Sequence, residues 1–227
     1  MAQLLDDRAL TLKLVYYGPA LSGKTTNLIC LHDLLQPELK GDMMVLETRN
    51  DRTLFFDALP LGFYAPSGLL IKLKLYTVPG QVAHDSTRKA VLSRADGVVF
   101  VADSQVTQTI NNTEAFQNLA DNAARVGLDF DRLPLVVQFN KRDLPRILSE
   151  EDILARWTAT PWPVTFASAL TRQGVVDTLR VLLDRVHDSL ESEYRVHSEH
   201  GVTRLEFVES LLGISSATGV SVDEMKR

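Results

Sequence analysis

GPALSGKTTN, residues 18–27, is the stretch on which the reading of this chain turns. Gly18, Gly23, Lys24 and Thr25 satisfy the pattern G-x-x-x-x-G-K-[S/T]. In such a loop the backbone N–H groups wrap phosphate oxygens, and glycine lets the chain come close enough to do so. The lysine reaches the β- and γ-phosphates, and the threonine hydroxyl ligates Mg²⁺. Ala20, Ser22 and Thr26 belong to the same cradle. Ala20 raises a question of its own, because it puts a methyl group inside the loop.

The flanks supply the context the motif needs. Residues 9–17 (ALTLKLVYY) form a largely apolar strand that runs straight into the loop, and residues 26–35 carry apolar side chains at helical spacing. A long polar stretch follows, from residue 36 to about residue 50. Residues 69–78 (LLIKLKLYTV) alternate as a strand with one wetter face. GVVFVA (97–102) and LVVQF (135–139) are continuous apolar runs, which read as strands of a parallel sheet buried on both faces. A helix is predicted over 109–126, ended by Gly127. A short strand follows at 164–167 and a long helix at 175–190. The alternation predicts an α/β fold with a mostly parallel central sheet and helices on both faces. In such a sheet ligands lie beyond the carboxyl ends of the strands. Residues 18–25, 79–81, 140–143 and 167–169 should therefore converge on one crevice.

FNKRDL, residues 139–144, points to the base. A carboxylate at Asp143 can accept hydrogen bonds from guanine N1–H and the 2-amino group. Adenine offers neither donor, and an unpaired buried carboxylate is costly. Asn140 can brace the phosphate loop, the Lys141 stem can cover the base, and ASAL (167–170) can present a backbone N–H at Ser168 and Ala169 to guanine O6.

With these motifs in order, the chain resembles the Ras-like small GTPases, and among them the bacterial MglA group. The stretches that carry the likeness are VYYGPALSGKTTNL, NDRTLFFDALPL, LYTVPGQV, GVVFVADSQ and FNKRDLP, within about residues 10–190. The resemblance implies GTP/GDP binding with Mg²⁺, slow hydrolysis, and two states told apart by partners. Position by position it assigns Lys24 to the β/γ-phosphates and Thr25 to Mg²⁺. Thr53 would complete the metal shell and order a switch loop, Gly80 would donate its N–H to the γ-phosphate, and Gln81 would orient the attacking water. Arg52 would act as an arginine finger in cis. It also implies a roadblock/LC7-type dimer as activator, with polarity or motility effectors binding the GTP state. Two departures from the wider Ras-like pattern stand out. Thr77 replaces an aspartate that holds Mg²⁺ indirectly, a replacement the MglA group shares. Ala20 replaces a glycine, so its methyl can crowd Gln81 and slow turnover.

Composition bounds the rest. The 227 residues carry a net charge of −5, which gives no general attraction to nucleic acid or anionic membrane. No apolar run reaches the roughly 20 residues that span a bilayer. The acidic start, MAQLLDDRAL, does not resemble a secretion signal, and neither end carries a lipidation motif. A cytoplasmic, monomeric protein is expected, with any recruitment to a cell pole made through partners. Cys30, the single cysteine, reads as a buried inert thiol. His84, His197 and His200 read as polar loop residues, and Trp157 and Trp162 as packing over the last strand. The expected division is a GTPase domain over 9–190 and a C-terminal extension over 191–227. In the extension, Thr203 and Glu206 form a capping box before an amphipathic helix whose face is expected to run through Leu205, Val208 and Leu212, with Phe207 and Leu211 nearby. That helix either packs on its own domain or docks an effector. A scaffold locked with nucleotide by Ala20 is the rival to a turning-over switch. A metabolic P-loop kinase would leave residues 140–143 and TVPGQ without purpose.

Overall fold

The computed structural model describes residues 3–6, 9–35, 44–48, 52–80 and 85–213. Its strands are β1 (Gln3–Asp6), β2 (Ala9–Tyr17), β3 (Met44–Thr48), β4 (Arg52–Tyr64), β5 (Leu70–Thr77), β6 (Gly97–Asp103), β7 (Leu135–Asn140) and β8 (Val164–Phe166). The helices are α1 (Lys24–Leu34), α2 (Asp85–Leu92), α3 (Thr109–Arg125), α4 (Glu150–Trp157), α5 (Val175–Tyr194) and α6 (Arg204–Leu212). One sheet runs in the order β3-β4-β5-β2-β6-β7-β8, with β1 antiparallel on β2. From β5 to β8 every pairing is parallel, while β3-β4 and β4-β5 are antiparallel.

The period-two alternation of a strand explains the two cores. Along β2, Leu10, Leu12, Leu14 and Tyr16 point to one face, where they meet Leu28 and Leu31 of α1 and Leu179, Leu182 and Val186 of α5. Val15 and Tyr17 point to the other, with Leu92 of α2, Leu119 of α3 and Ile153 of α4. Strand β6 divides likewise, Val99 and Val101 against Val98, Phe100 and Ala102, so its apolar run is unbroken because both faces are covered. Trp157 and Trp162 pack edge-on against Phe116, at 5.2 Å each, on this second face. Cys30 is buried, and burial pushes its thiol pKa up. Among the described residues no helix is long and apolar enough to cross a membrane.

Two features differ from the sequence reading. Part of the expected polar stretch is strand β3, and it pairs with a long β4 whose register shifts on β5 between Ala58 and Pro60. Proline has no N–H for a ladder, so an irregularity there is its physical signature. The second concerns α6. Its capping box is present, with Thr203 Oγ1 accepting from the Glu206 N–H, and Gly213 closes it at φ +70°. Its buried face, however, runs through Phe207, Val208, Leu211 and Leu212, while Leu205 is 62% exposed. Phe207 sits 6.3 Å from Phe63 of β4 and 5.5 Å from His187 of α5, ring to ring. Val196, Val202 and this helix share one core with α1 and α5. Of the two readings of the helix, packing on its own domain is the one observed.

Candidate functional site

β2 ends at Tyr17, and α1 begins at Lys24 with Gly23 as its N-cap in the left-handed region at φ +95°. A side chain at Gly23 would also collide with Asn140, whose Nδ2 would lie 2.3 Å from the new Cβ. Glycine is therefore required twice over, by conformation and by the approach of β7. Leu21 takes a positive φ of 61° as well, and its side chain is 88% exposed. Thr25 is half-buried on the first turn of α1, whereas Thr26 is exposed and Ser22 is buried.

Lys24 is buried, and its Nζ donates to the carbonyls of Gly18 (3.1 Å) and Pro19 (2.6 Å). Burial, and then the nearby Arg88 cation, push its pKa down to about 7. An ammonium with three donors and only carbonyl partners is short of negative charge. Phosphate oxygens would supply that charge, so the cradle fits a nucleotide. Mg²⁺ ordinarily takes few protein ligands beside phosphate and water. Thr25 is suitably placed at the helix start. Thr77, with no carboxylate to offer, is buried at the end of β5 and pairs with Tyr16.

Asn140, the last residue of β7, joins two loops. Its Nδ2 donates to Ser22 O (2.8 Å), and its Oδ1 accepts from Ala169 N (3.0 Å). Ser168 Oγ donates to Asp143 Oδ1 at 2.5 Å, fixing the carboxylate beside the same loop. Lys141, at φ +66°, pairs with Asp103 at 2.6 Å. Residues 18–25, 140–143 and 167–169 are thus brought together at the strand ends. Gly80 completes the group from the end of β5, since a Cβ built on it would stand 2.2 Å from Ala20 Cα.

Arg52 and Thr53 stand at the start of β4, paired by backbone register with Thr48 and Glu47, rather than in a loop. Gln81 and His84 lie outside the described residues. His200 Nδ1 shares a 2.9 Å hydrogen bond with Ser67 Oγ, and His197 donates its backbone N–H to Glu191.

Sequence reading missed two polar networks. In one, Gln138 Nε2 donates to Asn27 Oδ1 and Thr178 Oγ1, both at 3.0 Å, and Asn27 Nδ2 donates to Gly23 O at 2.9 Å. This ties the phosphate loop through β7 to α5, and the signal was a glutamine inside the apolar run LVVQF. The other surrounds Arg88, which donates to the carbonyls of Pro79 and Gly80.

A sequence model of the ADP-ribosylation factor (Arf) family matches residues 68–186. The mutual gliding-motility protein MglA of Myxococcus xanthus (strain DK1622) is 44% identical over 186 residues, covering 82% of this chain and 95% of that protein.

Proposed function

The chain belongs to the MglA-type bacterial small GTPases, GTP hydrolases of the Arf/Ras-like family, and from that premise we propose that it is a nucleotide-governed switch of gliding motility and cell polarity. The observation that carries the guanine-nucleotide reading is Asn140, which holds Ser22 O and the Ala169 N–H with one amide and so fixes the phosphate loop relative to the base loop. Within that frame Asp143 accepts from the guanine edge and the Ala169 region faces O6. Lys24 neutralises β/γ-phosphate charge, Thr25 and Thr53 hold Mg²⁺, and Gly80 donates to the γ-phosphate. Gln81 orients water and Arg52 stabilises charge on the transferring group. Mg²⁺, when bound, would supply neutralisation of the phosphate charge. A roadblock/LC7-type dimer is the activator in this reading. Effectors that bind the GTP form carry the protein to a cell pole.

A second reading, a hydrolysis-poor GTP-bound scaffold, is favoured by the tight packing of Ala20 on Gly80. Single-turnover hydrolysis of GTP, with and without a roadblock-type dimer, separates them. Slow conversion to GDP that the dimer accelerates supports the switch. No conversion in either arm supports the scaffold.

A further inference from the structure

Arg88 is the largest fully buried side chain of the described residues, 1% exposed, and among them it has no carboxylate partner. Burying a cation is expensive unless its hydrogen bonds are fully used. Here two go to backbone carbonyls and one to a side-chain amide. Nε donates to Pro79 O and Nη2 to Gly80 O, both at 2.8 Å, while Nη1 donates to Asn118 Oδ1 of α3 at 2.5 Å. The guanidinium lies 5.1 Å over the Tyr17 ring, and the Tyr17 hydroxyl donates to the same Asn118 oxygen. Asn122 Nδ2 bonds Tyr17 Oη at 3.1 Å and Asp85 Oδ1 at 2.8 Å, and Asp85 in turn pairs with Lys89 and Arg125. A rigid fork, seated on an aromatic ring and locked by α3, therefore grips two consecutive carbonyls.

The consequence lies in the peptide plane. Pro79 C=O and Gly80 N–H belong to one trans peptide, so they point in opposite directions from the same rigid unit. Holding the carbonyl aims the N–H. Gly80 is a residue with free φ/ψ, in contact with Ala20 of the phosphate loop, and without a grip it would lose that aim. A stacked bidentate fork is suited to the task and a lysine is not.

We infer that Arg88 is a positioning residue for the γ-phosphate contact: by fixing the Pro79–Gly80 peptide from the α3 side, it sets the preference of this protein for triphosphate over diphosphate. This rests on the reading above that Gly80 donates to the γ-phosphate. It adds that α3, through Asn118, shares in sensing the nucleotide state.

The test measures dissociation constants for GDP and for a non-hydrolysable GTP analogue in the wild type, Arg88→Lys, Asn118→Ala and Gly80→Ala, with melting of each GDP complex. Arg88→Lys is expected to lower the triphosphate-to-diphosphate preference by about tenfold or more, the worth of one charge-assisted hydrogen bond. GDP affinity should stay within about twofold, because the diphosphate does not reach Gly80. Asn118→Ala, which keeps the cation and loosens only its seat, should shift the ratio the same way by a smaller factor. It keeps the question answerable if Arg88→Lys does not fold. Equal losses for both nucleotides would show a merely structural arginine and overturn the inference. So would an unchanged ratio in folded Arg88→Lys, or in Asn118→Ala should Arg88→Lys not fold. If Gly80→Ala also leaves the ratio unchanged, the assignment of Gly80 itself fails. If Gly80→Ala alone shifts it, only the role of Arg88 fails.

Discussion

Ala20 and Gly80 are in direct contact: a Cβ built on Gly80 would stand 2.2 Å from Ala20 Cα and 3.0 Å from the Ala20 methyl carbon. The phosphate loop and the segment after β5 thus meet at the alanine that departs from the Ras-like pattern. Ala20→Gly should speed single-turnover GTP hydrolysis by about tenfold while leaving GTP affinity within a few-fold. A misplaced reacting group costs up to roughly 10² in rate, and a methyl removed from beside it restores part of that. The gain should vanish in an Ala20→Gly, Gln81→Leu double variant. An unchanged rate in Ala20→Gly would mean that the loop already accommodates the methyl.

The brace made by Asn140 predicts a different pattern from that of Arg88. Asn140→Ala strands both Ser22 O and the Ala169 N–H, and each unsatisfied buried group costs about 1–3 kcal/mol. GTP and GDP affinities should fall together, by about 30-fold or more. Asn140→Asp keeps the acceptor for Ala169 and loses the donor to Ser22, so it should fall between. Titration of labelled GDP into each variant reads this, and an affinity unchanged in Asn140→Ala would refute the brace.

Phe207 lies at 0% exposure between β4 and α5, so the last helix belongs to the stability of the domain. Truncating a buried phenylalanine costs about 3–5 kcal/mol. For a protein of this size that is a fall in melting temperature of roughly 6–20 °C. Phe207→Ala should show it, and Leu205→Ala, on the exposed side, should not. Equal melting temperatures for the two would contradict the packed helix.

The cap of that helix gives a pH dependence. Glu206 is held below its ordinary carboxylate pKa, first by the Thr203 backbone N–H and then by the Thr203 hydroxyl. A carboxylate with a depressed folded pKa contributes stability that is present above its ordinary value and lost as pH falls through the folded one. The stability gap between wild type and Glu206→Gln should therefore be present at neutral pH and close in acid below that folded pKa. Urea melts at several pH values check this, and a gap that widened in acid would contradict the cap.

What the sequence made legible was local. The phosphate loop, the unbroken apolar runs of β6 and β7, and the N-K-x-D motif each declare themselves within ten residues, and each element formed where its pattern lies. Strand β3 did not, because MVLET is a short mixed run inside a polar stretch and its place comes only from pairing with β4. On α6, Val208 and Leu212 are buried as their spacing predicts but Leu205 is exposed, since Leu205 and Phe207 both suit a buried stripe and only contact with Phe63 and His187 chooses between them. Arg88 was invisible for a deeper reason. Its partners are two backbone carbonyls and an asparagine 30 residues away on another helix, and no spacing rule encodes that meeting.

The most direct test of the central claim, a guanine-nucleotide site read by Asp143, is competition of GTP, ATP and XTP against labelled GDP in the wild type and in Asp143→Asn. The carboxylate, fixed by Ser168 at 2.5 Å, can accept from guanine N1–H and the 2-amino group, and adenine leaves it unpaired. Sites built on such hydrogen bonds reject the analogue lacking the donors by roughly 10⁴, so ATP should fail to compete in the wild type. In Asp143→Asn the group becomes part donor, and XTP should overtake GTP. ATP competing as well as GTP in the wild type, or no gain for XTP in the variant, would contradict the account.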